Sequence, residues 1–355
     1  MEPEVQIRRF RHEDIPKLNE IMKKVHGISA DESSWIWKYE DNPAKKNYSH
    51  VAVAGDRIVA HCGAIPTEVQ IGGERVAGVQ LADILSDKEH RVKGAFTLAY
   101  FTAANFAEEA GARIVLGFAN PTGFGYATQR SAVVKSGLIV PRCDRIVNLA
   151  PFVKRFMKYS SISSVIAVPG NVLIRLLHSI GNPREVDLGK IEEVAAFDAR
   201  FDELWEEIGN ELPRTTVRSS SHLGWRYMRH PLRRYMSYAF VDRGKPRGFI
   251  VLRVLEEEGI RRGLIVDLIA GYKRPTVWNS LLVKAIDYFR REEVDLMTCW
   301  MFSHMPYFRS LEKLHFVDRP SNLSVLVRDF AGEYDQEYLN DERNGYVSMG
   351  ESDIF

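Results

Sequence analysis

The chain has 355 residues, with 48 Lys and Arg against 47 Asp and Glu, 45% hydrophobic residues and 27% charged residues. That length exceeds one typical core, so two domains are expected. A net charge of +1 gives no field that would draw the chain to nucleic acid, and no nucleic-acid partner is expected.

The N-terminal "MEPEVQIRRF" has no apolar signal core, and no run of about 18 apolar residues predicts a membrane span. Cys62, Cys143 and Cys299 lie far apart in apolar runs, without a Cys-x-x-Cys. That pattern argues against a zinc site or a disulfide framework and fits free buried thiols in a reducing cytoplasm. No metal is expected.

In chain order, "WKYEDNP" at Trp37–Pro43 comes first, in a helical region that Pro43 ends. "YSHVAVAGDRIVAHCGAI" then reads as strand, tight turn and strand. "GVQLADILSDKEH" is an apolar strand with Asp83 inside it. "GAFTLAYFTAANFAEEAG" is an amphipathic helix, "ARIVLGFAN" a strand, and "YATQRSAVVKSGL" a short helix.

The same order then recurs. "WRYMRHP" starts at Trp225, "RYMSYAFVDRGKPRGFIVL" follows, and "GLIVDLIAGYKRP" carries Asp267 in an apolar strand. "TVWNSLLVKAIDYFRREE", "VDLMTCWMF" and "PYFRSLEKLHF" complete it, at offsets of 182–188 residues. The spacing predicts a duplicated α/β unit with mixed sheets.

The expected domains are 1–149, a connector at 150–186, a second copy at 187–330 and an acidic tail at 331–355. Pro169-Gly170 breaks the apolar connector into two short helices. The reading taken is a connector packed on the domains; contact with a membrane surface through 152–180 is the other. In the tail, Tyr346, Val347 and Met349 are candidates to dock back. Trp37, Tyr39, Trp225 and Tyr227 are read as packing their helices onto the sheets; stacking on a sugar or amino-acid substrate is the alternative.

The segment "LADILSDKEHRVKGAFTL" runs from strand to helix through two cations and a glycine. Unpaired N–H groups and the positive dipole end of a helix N-terminus favour phosphate there. Gly94 admits a close approach to the backbone, and Arg91 and Lys93 add charge. In its αβ order this segment resembles the acyl-CoA loop of the GNAT superfamily of N-acyltransferases. That pattern is Arg or Gln, two residues, Gly, one residue, then Gly or Ala. Arg91 and Gly94 fit it, and Phe96 departs from it.

The resemblance implies a tandem GNAT fold with acetyl-CoA or another acyl-CoA held by Arg91, Val92, Lys93, Gly94, Ala95 and Phe96. It implies a carbonyl-polarising backbone N–H near Leu85, and Asn120 on pantetheine or substrate. Asn120 also fits an Asx turn before Pro121. The second copy has "GYKRPTVW" in place of the loop, and Pro275 lacks a donor, so CoA is expected on the first copy alone. The Tyr that often protonates the leaving thiolate is replaced by Val133; Tyr126 is a candidate substitute.

Transfer to an amine also needs a proton acceptor. Asp83, an acid in an apolar strand, is read either as base or ammonium anchor, or as a satisfied structural group. His61 is read as a proton relay or as a core histidine with a backbone partner. The repeated block and the "GESD" tail look most like tandem GNAT proteins associated with bacterial polysaccharide synthesis.

The function implied is N-acyl transfer to a small amine, an amino sugar or amino acid. A Fem-type aminoacyl transferase and a non-catalytic CoA- or partner-binding pair are the alternatives.

Overall fold

The computed structural model describes residues 5–27, 29–87, 98, 101–102, 104–106, 109–111, 113–119, 137–156, 160–179 and 185–355. The strands, in chain order, are β1 (Val5–Arg9), β2 (His50–Ala54), β3 (Arg57–Ile71), β4 (Glu74–Ser86), β5 (Ile114–Ala119), β6 (Gly137–Ile139), β7 (Arg142–Ile146) and β8 (Ile191–Glu193). They continue with β9 (Thr215–Thr216), β10 (Met236–Asp242), β11 (Lys245–Glu257), β12 (Ile260–Ala270), β13 (Leu296–Trp300), β14 (Val317–Arg319) and β15 (Ser324–Asp329). The main helices are α1 (Ile15–His26), α2 (Glu32–Tyr39), α3 (Ala150–Phe156), α4 (Ser160–Ser179), α5 (Ala199–Ile208), α6 (Pro275–Arg291) and α7 (Phe308–Lys313).

Two compact units share these elements. Unit 1 holds Met1–Ile139, Leu212–Arg233 and Asn322–Gly345; unit 2 holds Val140–Glu211, Arg234–Ser321 and Tyr346–Phe355. These limits differ from the boundaries read at 149/150, 186/187 and 330/331. The reason is strand exchange, which a linear reading of hydrophobic periodicity does not detect.

The unit 1 sheet has the order β1-β2-β3-β4-β5-β15-β6, with β9 on β3; the unit 2 sheet has the order β14-β7-β13-β12-β11-β10-β8. In each sheet one neighbouring pair is parallel, β4 with β5 and β12 with β13. The run β2-β3-β4-β5 thus matches β10-β11-β12-β13. Beside β5 lies β15, from late in the chain, and beside β13 lies β7, from early in it.

In unit 1, alternate residues of β2 and β3 serve opposite faces. Val51 and Ile58 pack with Leu18, Ile21 and Met22 of α1 and with Trp35, Trp37 and Tyr39 of α2. Ala52, Val59, Cys62 and Ala64 pack with Leu98 and Phe106 on the other face. Pro16 in the first turn of α1 and Gly27 beyond its end (φ 74°) set the limits of that helix. The Asp31 side chain accepts from Ser33 N at 2.9 Å and caps α2. Gly72 and Gly73, with φ of 59° and 85°, close the β3–β4 hairpin.

The aromatic repeat does pack. Trp37 and Trp225 stack at 4.4 Å with planes 13° apart. Each indole N–H donates to the other's backbone carbonyl, at 3.0 and 2.9 Å.

In unit 2, α6 begins on Pro275, where a missing N–H is harmless, and buries Leu281, Ala285 and Phe289. The three cysteines are free and buried. Tyr346, Val347 and Met349 are buried in unit 2, as the tail reading anticipated. The connector departs from expectation: α4 runs through Pro169 as one helix, and one of its faces is exposed.

Candidate active site

The Arg91–Phe96 loop, Asn120 and Tyr126 lie outside the described residues. Asp83, His61 and Leu85 lie within them, and the structure brings all three to one irregularity of β4.

Strands β3 and β4 pair regularly from Ile71↔Glu74 to Gly63↔Ala82, then resume at His61↔Leu85. Cys62 therefore faces two residues, Asp83 and Ile84, which form a β-bulge. Asp83 has φ 45°, a left-handed conformation that is unusual for a residue other than glycine. The parallel pairing of β4 with β5 covers Gly78↔Ile114 to Leu81↔Gly117. The bulge therefore begins just past the point where β4 and β5 stop pairing.

Four groups hold it. The Asp83 carboxylate accepts from Lys38 Nζ at 2.9 and 3.1 Å and from the Tyr39 hydroxyl at 2.6 Å. Both donors come from the last turn of α2, and the Lys38 and Asp83 side chains are 14% and 15% exposed. The main chain of Asp83 is held as well: its carbonyl oxygen lies 2.8 Å from His61 Nδ1. A carbonyl can only accept, so Nδ1 carries the proton and Nε2 is the bare nitrogen. Gly63 completes the clamp. A Cβ there would stand 1.9 Å from the Tyr39 hydroxyl oxygen and 2.8 Å from the Ala82 carbonyl oxygen. Only glycine lets Tyr39 reach Asp83.

This geometry shows what Asp83 and His61 are bonded to. Burial alone would raise the Asp83 pKa, but the Lys38 ammonium and the Tyr39 hydroxyl outweigh it and hold the carboxyl below its usual value. A paired, acidified carboxylate is a poor proton acceptor. His61 is enclosed by Phe10, Trp35 and Tyr39 at ring distances of 5.8, 5.3 and 5.8 Å. Burial lowers its pKa, and Nε2 has no partner among the described residues. Its ring is buried, and its backbone partner is the Asp83 carbonyl in the bulge.

The register also redirects the backbone donor. Asp87 N donates to Val59 O at 2.9 Å, so 87/59 is a hydrogen-bonded pair. Antiparallel ladders alternate, so 85/61 is hydrogen-bonded too, and the Leu85 N–H points to β3. The Ser86 N–H points the other way, to the side where β5 has stopped pairing, and the bulge breaks the alternation at Ile84. Sequence reasoning placed the donor near Leu85; a bulge, which shifts the alternation by one, leaves no mark in composition. Lys38, Tyr39 and Gly63 were not singled out for this site. The signal was the "WKY" block itself, a cation and a hydroxyl on adjacent residues of one helical turn.

Unit 2 offers a contrast. Strand β12 also bulges, between Val251↔Asp267 and Leu252↔Ile265, just beyond its pairing with β13. Asp267 is buried, keeps an ordinary φ, and accepts from Ser348 Oγ at 2.9 Å. The Tyr346 hydroxyl donates to Leu268 O at 2.6 Å. Ile265, Asp267, Cys299, Trp300, Tyr346 and Ser348 line a remaining cavity of about 10 Å³. That is room for about one water. Among the described residues no His, Cys, Asp and Glu cluster could hold a metal ion.

Residues 6–127 match the family model of an acetyltransferase (GNAT) domain. No curated protein matches the chain. Among solved structures, the chain is similar to a GCN5-related N-acetyltransferase from Anabaena variabilis ATCC 29413, with a TM-score of 0.62, 16% identity, and 92% of this chain and 72% of that chain covered. It is similar to Saccharomyces cerevisiae N-myristoyltransferase, solved with bound myristoyl-CoA and inhibitors (TM-score 0.60, 11% identity, 92% and 80% covered). A conserved Enterococcus faecalis V583 protein of unknown function, described as a probable N-acyltransferase, is also similar (TM-score 0.60, 9% identity, 91% and 72% covered). The mixed α/β architecture with two mixed sheets is therefore that of GNAT-fold proteins.

Proposed function

We propose that this chain is a cytoplasmic enzyme that moves an acyl group, the acetyl group first, from an acyl-CoA to the amine of a small molecule such as an amino sugar or amino acid. The observation that carries the reading is the clamped β4 bulge in the segment that matches the GNAT model. We read it as leaving backbone N–H groups of Ile84 or Ser86 for the side where β5 stops pairing, and the Arg91–Phe96 loop follows in the chain. We read the two halves as a duplication, with the first binding CoA.

In the reaction the amine nitrogen attacks the thioester carbon, the C–N bond forms and the C–S bond breaks. The amine loses a proton, and the departing thiolate gains one. Developing charge on the thioester oxygen is met by fixed N–H donors, which need no reorganisation at the moment of transfer. In this reading Ile84 or Ser86 supplies that donor. Asp83 is a positioning residue: with Lys38, Tyr39 and His61 it keeps the donors aimed. The myristoyl-CoA of one structural neighbour makes longer acyl chains a necessary arm of any test.

Calorimetry with acetyl-CoA, CoA and a longer acyl-CoA, and thiol release over an amine panel, test the proposal. Binding of CoA that Gly94→Pro abolishes, with thiol release on adding an amine, is the expected result. Normal CoA binding by Gly94→Pro refutes the loop assignment. Binding without thiol release for any amine refutes the enzymatic reading.

A further inference from the structure

Helix α4 carries an apolar stripe that faces away from its packed side. Val168, Val172, Leu173, Leu176 and Leu177 are 63%, 51%, 58%, 60% and 49% exposed. At 100° per residue they occupy about half the helix circumference. The opposite side is fixed by contacts. Asn171 Oδ1 accepts from Leu149 N at 2.7 Å, and Asn171 Nδ2 donates to Asn148 Oδ1 at 2.8 Å. Gly170 lies so close to Leu149 that a Cβ would stand 2.6 Å from its Cδ1. The helix therefore cannot roll to bury its leucines without breaking these contacts. Single exposed aliphatic residues need no explanation, but five on one face do.

The charge around the stripe is one-sided. Residues 150–184 contain Lys154, Arg155, Lys158, Arg175 and Arg184 and no Asp or Glu, which leaves 43 cations against 47 acids in the rest of the chain. Arg155 pairs with Glu258; Lys154 and Arg175 are exposed. Among the described residues no helix is long and apolar enough to cross a membrane.

We infer that α4 docks this protein on an anionic lipid bilayer, lying in the interface plane with Val168, Val172, Leu173, Leu176 and Leu177 among the acyl chains and the exposed cations Lys154 and Arg175 at the phosphate headgroups. Apolar burial and cation attraction reinforce each other in this geometry. A second copy or a protein partner would cover the same leucines without using the exposed cations Lys154 and Arg175. The inference does not depend on acyl transfer.

The test uses the full chain and sedimentation with vesicles of phosphatidylcholine alone or mixed equally with phosphatidylglycerol. The protein is expected to bind the mixed vesicles, to bind phosphatidylcholine less, and to be released between about 0.1 M and about 0.5 M salt. Leu173→Ser with Leu176→Ser and Leu177→Ser should lower partitioning about tenfold or more. If that variant fails to fold, Val172→Trp decides: its emission should shift to the blue on mixed vesicles alone. No vesicle binding by the unmodified chain overturns the inference. So does binding that the triple variant leaves unchanged, or self-association in solution that the triple variant abolishes.

Discussion

The Lys38–Asp83 pair allows a quantitative test of the clamp. Removing Lys38 leaves Asp83 a charge in a site 15% exposed, with the Tyr39 hydroxyl as its remaining side-chain donor among the described residues. Breaking a fully buried pair costs about 3–5 kcal/mol; the residual exposure places Lys38→Met nearer about 2–3 kcal/mol. Asp83→Asn, which removes the carboxylate from the ammonium, should cost about 1–2 kcal/mol, because a long lysine side chain can turn its tip towards water. The double variant removes both charges and should lie within about 1 kcal/mol of the worse single variant, a coupling of about 1–2 kcal/mol. Urea unfolding followed by tryptophan fluorescence is suitable, since Trp35 and Trp37 flank the site in α2. The pH dependence follows from the sign of the shift. The folded-state pKa of Asp83 is depressed, so its contribution is present above the unfolded value of about 3.9 and is lost as pH falls through the folded value. Lys38→Met should move that loss to higher pH. Strict additivity of the two substitutions, within about 0.5 kcal/mol, would refute the clamp.

His61→Phe keeps ring volume but leaves the Asp83 carbonyl without its donor; a loss of about 1–3 kcal/mol and weakened acyl-CoA binding are expected by urea titration and calorimetry. Tyr346→Phe deletes the hydroxyl that donates to Leu268 O and should cost about 1 kcal/mol in unfolding, with no change in CoA affinity. His50, buried in β2 with Nδ1 unpartnered among the described residues, has its pKa pushed down to about 4, first by burial and then by Arg9. Its contribution is present above about 6.5 and is lost as pH falls towards 4; discounted for partial solvation, His50→Gln should flatten the acid limb by about 1–2 kcal/mol.

The sequence revealed the elements far better than their partners. The strand at "GVQLADILS" and its lone acid were legible because an apolar run with one carboxylate is conspicuous. The docking of Tyr346, Val347 and Met349 was legible because apolar residues in a polar tail need cover. The exchange of β7 and β15 between sheets was not, since strand pairing is a long-range choice that local periodicity does not encode. The role of Asp83 was half legible. An acid in an apolar strand needs a partner, but whether that partner is a substrate or Lys38 depends on the fold of α2 against β4. The bulge was least legible of all. Its left-handed residue is an aspartate where a glycine would have announced it.

That choice of residue bears on why the bulge is there. An aspartate with φ 45° is strained, and the strain persists only because the surroundings over-determine it. Glycine would adopt the same backbone without strain, yet would leave Lys38 and Tyr39 nothing to hold. The side chain makes the irregular conformation addressable from α2, and the His61 bond makes it addressable from β3. Backbone donors that must meet a developing charge are useful only if their direction is fixed beforehand. In unit 2 the corresponding acid needs no such device. Asp267 has an ordinary backbone, and Tyr346 and Ser348 already fill the place beside its bulge. The same strand order thus carries two solutions, a bulge held under strain and a bulge packed over by the chain's own end. Under the acyl-transfer proposal, the first is the one that serves to aim a backbone donor.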